Sequence, residues 1–175
     1  MKTRRASENT FLILFLILVI AIILGGLIYG EMWRNQIEDP YRCLPSIYAL
    51  NMTGDSINCN ERLAPNKKTA VLFFNPECDE CKDEINSILL YQKELRNVQW
   101  VFITIAQVEE LEIFINDYPI HLLPYSFLLR EDFPRNHLLF GVSVPPVLFI
   151  YDDKGKLINV HKGGFTLFSI LDELR

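Results

Sequence analysis

The first hydrophobic block of the chain differs in kind from every later one. Residues 11–30 read FLILFLILVIAIILGGLIYG, without a charge and apolar on every helical face. A buried globular helix is usually shorter and amphipathic, whereas about 20 apolar residues cross a bilayer. The block therefore predicts one N-terminal transmembrane helix. Lys2, Arg4 and Arg5 precede it and Glu31 follows it, which places residues 1–10 in the cytoplasm and the remainder outside. A cleaved export signal is the competing reading. Against it, the run exceeds the roughly 7 to 15 apolar residues of such signals, and no small-x-small cleavage site follows. The polar stretch EMWRNQIEDPYR leads on to Cys43 and reads as a stalk over 31–43, leaving 44–175 as the exported domain.

Within that domain the hydrophobic periods are short. Ile47 to Leu50 and Ser56 to Cys59 flank a Gly-containing turn and predict an N-terminal β-hairpin. Thr69 to Phe74 is a continuous apolar run bounded by turn residues, as in a buried central strand. After Asn75-Pro76-Glu77 a helical pattern starts near Cys78 and recurs at Ile85, Ile88, Leu89 and Leu95. Val98 to Ile105 is a second buried strand, and Val108, Leu111, Phe114, Ile115 and Tyr118 mark a helix stopped before Pro119. Leu122 to Leu129 contains Pro124 and is expected to be at most an edge strand. Phe133 to Phe140 predicts a short helix with Pro134 in its first turn. Val147 to Tyr151 and Leu157 to His161, joined by Asp152-Asp153-Lys154-Gly155-Lys156, form a second hairpin. Leu167, Ile170, Leu171 and Leu174 then give a terminal amphipathic helix. This order implies an α/β fold, a mixed sheet with helices on both faces.

Charge narrows the partners. The 175 residues carry a net charge of −5, and the part beyond residue 30 carries −7, because Lys2, Arg4 and Arg5 outnumber Glu8 in the first thirty. Nucleic acids and anionic membrane surfaces want clusters of Lys and Arg, so no nucleic-acid partner is expected.

The chemistry lies in four cysteines, all beyond the apolar block, where disulfides persist. Cys78-Asp79-Glu80-Cys81 sits where a strand gives way to a helix. A thiol at a helix N-terminus faces unpaired backbone N–H groups and the positive end of the dipole, which favours its thiolate. Cys78 is then the exposed nucleophile, and Cys81, one turn on, resolves the mixed disulfide. Competing readings are half of a metal site, an inert disulfide and a degenerate site in a binding module. The metal reading lacks ligands at the required spacing, since His121, His137 and His161 are scattered singly, and no metal is expected. Cys43 and Cys59 flank the first hairpin and are expected to form a structural disulfide, worth about 3 kcal/mol from chain entropy. The alternative is a relay in which this pair exchanges with Cys78–Cys81.

The segment Val71-Leu72-Phe73-Phe74 running into Cys78-Asp79-Glu80-Cys81-Lys82, followed by Pro146-Val147-Leu148-Phe149-Ile150-Tyr151-Asp152-Asp153-Lys154-Gly155-Lys156, resembles the TlpA/ResA-like branch of membrane-anchored thioredoxin-fold thiol–disulfide oxidoreductases. The likeness covers about residues 44–175. It implies a thioredoxin-like sheet, with the first hairpin as an N-terminal extension. It implies a cis-proline at Pro146 packed beside the CxxC, with Pro145 and Pro146 at the substrate, and a carboxylate at Glu84 that accepts the Cys81 proton. It implies no cofactor beyond the two thiols, a membrane redox donor and a disulfide-bearing exported protein as partners, with cytochrome maturation as an analogy. The sequence departs from the family at Glu77, where Trp is frequent, and at Leu72, where Asn or Asp is frequent. It departs also at Pro145, which has no N–H to offer an extended substrate. Glu77, Asp79 and Glu80 raise the cost of a nearby thiolate and so favour a reducing pair over a strong oxidant. The alternatives are a non-catalytic thioredoxin-like module and a copper-handling protein, the latter needing His137 or His161 beside both thiols.

Overall fold

The computed structural model describes residues 15–26 and 40–175. Residues 15–26 form α1, a helix whose Phe, Leu, Ile and Val side chains are exposed. The ends of the 11–30 run, the 1–10 tail and stalk residues 31–39 lie outside the described residues. Among the described residues no helix is long and apolar enough to cross a membrane.

The domain begins at Pro40. Four residues expected in the stalk, 40–43, are therefore part of it. Tyr41 packs edge-on against Phe149, with ring centroids 5.2 Å apart, and its carbonyl accepts the Tyr151 hydroxyl. Arg42 O accepts Leu157 N, and Cys43 forms an isolated antiparallel bridge with Lys156.

Seven strands form one sheet: β1 (Tyr48–Leu50), β2 (Ser56–Asn58), β3 (Lys68–Phe73), β4 (Val98–Thr104), β5 (Ser126–Arg130), β6 (Val147–Tyr151) and β7 (Leu157–Lys162). Their order is β2-β1-β5-β4-β3-β6-β7. β3, β4 and β5 run parallel, while β6, β7 and the β1–β2 hairpin are antiparallel, so the expected mixed sheet is present. The continuous apolar runs behave as their pattern requires, because every residue of β4 and β6 is buried.

Alternation along these strands makes two cores. Leu72, Trp100, Phe102, Leu148 and Ile150 meet α2 (Asp79–Leu90), α3 (Val108–Asp117) and α5 (Leu167–Leu174) on one face. Val71, Phe73, Val101, Ile103 and Phe149 meet the first hairpin and Phe140, which follows α4 (Arg135–Leu139), on the other. Each fully buried large side chain contributes about 1.5–3 kcal/mol of transfer free energy.

Two expectations are corrected. Pro124 does not lie inside a strand: the chain turns at Tyr125 (φ 55°), and β5 starts after it, paired with β4 along its whole length. β5 is thus not outermost, although β1 joins its far side only through Leu50 and Arg130. Pro134 is the N-cap of α4 rather than a residue of its first turn.

Candidate active site

The C-terminal end of β3 delivers the chain into a tight turn. Phe74 N donates to Ile103 O (3.0 Å), holding the exit of β3 against β4. Asn75 then organises the turn: its Oδ1 accepts Glu77 N (2.9 Å) and its carbonyl accepts Cys78 N (3.1 Å). Cys78 is the N-cap of α2, in extended conformation and half-buried, with no side-chain cap bond. A cysteine here stands at the helix end where first-turn N–H groups lack intrahelical partners and the dipole is positive.

Cys81 is fully buried in the first core, with Leu72 and Ile85 as neighbours in that cluster. Burial pushes its thiol up to about 12. The bonded Cys78 thiol and the Glu80 charge act in the same direction, and the Asn75 N–H, 3.5 Å from the sulfur, acts against them. At neutral pH Cys81 therefore holds its proton, and its attack on a mixed disulfide needs a base. Leu72, fully buried on β3, supplies none.

Glu84 is buried on the same helix, three residues after Cys81. Its Oε1 accepts Phe165 N at 2.5 Å, from the loop before α5, and its Oε2 is buried without a hydrogen-bond partner. Burial raises its pKa to about 7, with Asp83 and Glu80 adding repulsion and the Phe165 N–H opposing them. Oε1 is thus engaged by Phe165, and Oε2 is left without a partner.

The peptide between Pro145 and Pro146 is cis. The β3–β6 register, with Phe73 opposite Val147, sets Pro146 next to the strand end that leads into the CxxC. Pro146 is buried and its carbonyl accepts Gly163 N (2.9 Å), while Pro145 is half-buried and Val144 is 75 % exposed. Glu80 joins Val144, Pro145 and Gly163 around one recess on this side of α2. Thus Cys78, Cys81, Glu84, Pro145 and Pro146 come to one end of the sheet.

Cys43 and Cys59 do not join them, nor each other. All four cysteines are free thiols, so the expected Cys43–Cys59 clip is not formed. Cys43 is exposed at the stem of the second hairpin, whereas Cys59 is wholly buried in the second core and its thiol is pushed up to about 12 by burial. A buried apolar thiol of this kind is a packing residue, and the relay has no partner in it.

The histidines that a copper site would need are engaged elsewhere. His137 Nδ1 is 2.7 Å from Glu131 Oε2, against Phe73 on the second face, and His161 Nε2 is 2.8 Å from Glu173 Oε2. Among the described residues no group of three or more His, Cys, Asp or Glu could hold a metal ion. Glu131 was not legible in the sequence. Its Oε1 accepts both Asn136 N (2.7 Å) and Asn136 Nδ2 (2.6 Å), and Asn136 Nδ2 also donates to Tyr48 O (2.9 Å). Its spacing from these partners spans a proline turn with no recognisable period.

No protein-family model matches the sequence, and no curated protein does. Solved structures are similar. The MTB dsbF protein, seen in mixed oxidized and reduced forms, superposes with a TM-score of 0.63 at 18% identity, over 79% of this chain and 96% of that one. A secreted Mycobacterium tuberculosis disulfide oxidoreductase homologous to E. coli DsbE gives 0.60 at 17%, over 74% and 94%. StoA from Bacillus subtilis gives 0.58 at 15%, over 77% and 99%. At these identities what is shared is the fold: the chain has the thioredoxin-like architecture of known thiol–disulfide interchange proteins.

Proposed function

We propose that this chain is a membrane-anchored thiol–disulfide oxidoreductase that reduces disulfides in exported proteins. The observation that carries the reading is the pairing, one helical turn apart, of a half-exposed Cys78 at a helix N-cap with a fully buried Cys81. The Cys78 thiolate attacks one sulfur of a substrate disulfide, forming a mixed disulfide and releasing the other substrate sulfur as a thiolate. Cys81 gives its proton to Glu84, and its thiolate attacks the Cys78 sulfur. The second substrate sulfur leaves and the Cys78–Cys81 disulfide forms. The two electrons and two protons end on the substrate thiols, one of those protons passing through Glu84. A membrane redox donor restores the dithiol. Glu77, Asp79 and Glu80, all exposed around Cys78, favour the reducing direction. The apolar run over 11–30 is the anchor that keeps the domain outside the cytoplasmic membrane.

One observation favours a second reading, a non-catalytic thioredoxin-like module at the membrane surface: Pro145 lacks the N–H that an extended substrate would meet. Equilibration of the full chain, in neutral detergent, against glutathione and dithiothreitol with thiol trapping decides between them. The expected result is a reversible two-electron couple in the thioredoxin range, lost in Cys78→Ser. A pair locked in one state would support the binding module, and a potential near that of strong oxidants would reverse the direction.

A further inference from the structure

Pro145 closes one way of holding a substrate, and the other side of α2 offers a different one. Between the start of α2 and α3 runs a groove of about 390 Å³. Pro76, Phe114 and Tyr118 form an apolar floor, and Ile113, 69 % exposed, stands on its wall. Glu77, Glu110 and Asp117 line the same groove. Among the described residues the one cation there, Lys82, is held by Asp79 at 3.0 Å, and Glu110 Oε2 accepts Gln107 N (3.0 Å), so no cation of the groove is left to pair with Glu77 or Asp117. Asp117 is also the last residue of α3, and that helix has no basic residue in its last turn. The negative end of its dipole thus adds to the same potential.

We infer that this α2–α3 groove holds the substrate, and that it selects a segment in which an apolar side chain is flanked by lysine or arginine close to the reactive disulfide. The inference rests on the reading of Cys78–Cys81 as a disulfide reductase and names its substrate class. The apolar floor takes the side chain, removing it and Ile113 from water together. The rim carboxylates take the cations, a complementarity that raises the encounter rate and rejects acidic partners. A second copy of this chain is a poor occupant, because beyond residue 30 it carries a net −7 and would bring like charge to the rim. The groove borders Glu77, the residue next to Cys78, so a segment seated in it needs no backbone bond from the Pro145 side.

The test compares two disulfide-linked peptides, alike except that Lys or Glu flanks a central Leu, as substrates of the full reduced chain in neutral detergent. The neutral compound 2-hydroxyethyl disulfide serves as a reference substrate. The Lys peptide is expected to show about tenfold higher kcat/KM, a preference that collapses in about 0.5 M salt. Ile113→Ser combined with Asp117→Lys, both exposed on α3, should bring the two peptides within about twofold once each rate is divided by that variant's own rate on the reference disulfide. Equal rates for the two peptides in the unmodified chain, or a preference that survives the double substitution, would overturn the inference while leaving the reductase intact. Failure to reduce even 2-hydroxyethyl disulfide would remove the reductase reading and this inference with it.

Discussion

At the scale of single residues, the proposed chemistry turns on Glu84. Its carboxyl titrates near pH 7 because it is buried, and only its ionised form can accept the Cys81 proton. The resolving step should therefore accelerate as pH rises through about 7, and Glu84→Gln should abolish that inflection while slowing the step roughly 10- to 100-fold, as read by the lifetime of the mixed disulfide. Stability has the opposite sign. A carboxyl whose pKa rises from its ordinary 4.5 to about 7 binds its proton more tightly when folded. The stabilisation is full below the unfolded value and is lost as pH climbs to about 7. It amounts to about 3 kcal/mol at most. Thermal melts should show that decline, and Glu84→Gln should flatten it. The setting of Glu84 was half legible in the sequence: its i+3 relation to Cys81 could be read there, but its burial by the loop around Phe165, 81 residues away, could not. Cys59 misled for a similar reason. Its sequence position beside a hairpin suggested a clip, and only the folding of the second core decided that it faces inward.

Elements were read more reliably than residues, because a strand or helix averages its signal over many positions. The runs at β3, β4 and β6 and the period of α5 needed no tertiary information. β5 did. Pro124 argued for at most an edge strand, but it lies before the turn at Tyr125, and β4 gives β5 a full parallel register from Ser126 to Arg130. Glu131, just after β5, then joins three elements, capping the first turn of α4 and engaging Asn136, which reaches the β1 carbonyl of Tyr48. Glu131→Ala would strand the buried donors of Asn136 and His137. We expect a loss of about 3 kcal/mol by urea denaturation, with little change in the rate for 2-hydroxyethyl disulfide. A loss below about 0.5 kcal/mol would mean that the cluster does not hold these elements together.

At the scale of the whole molecule, the expectation of an α/β mixed sheet with helices on both faces agrees with the structure, because element order restricts the topologies that right-handed crossovers permit. The boundary of the domain was placed a few residues late, since Tyr41 looks like linker until Phe149 is seen beneath it. The proposed anchor has its own measurement. The full chain should sediment with membranes and resist carbonate extraction, whereas a chain lacking residues 1–30 should remain in the supernatant. Release of the full chain by carbonate would contradict the anchor without touching the redox chemistry.

The inward-facing thiol of Cys59 has a use of its own. It sits at zero exposure in the core opposite the one that holds Cys81. An alkylating reagent can reach it only when that half of the sheet opens, so its rate of labelling is a clock for that opening. Because Cys81 belongs to the other core, the same clock can be compared in the dithiol and disulfide forms, and any difference measures how far oxidation at one end of α2 loosens or tightens the far side of the molecule.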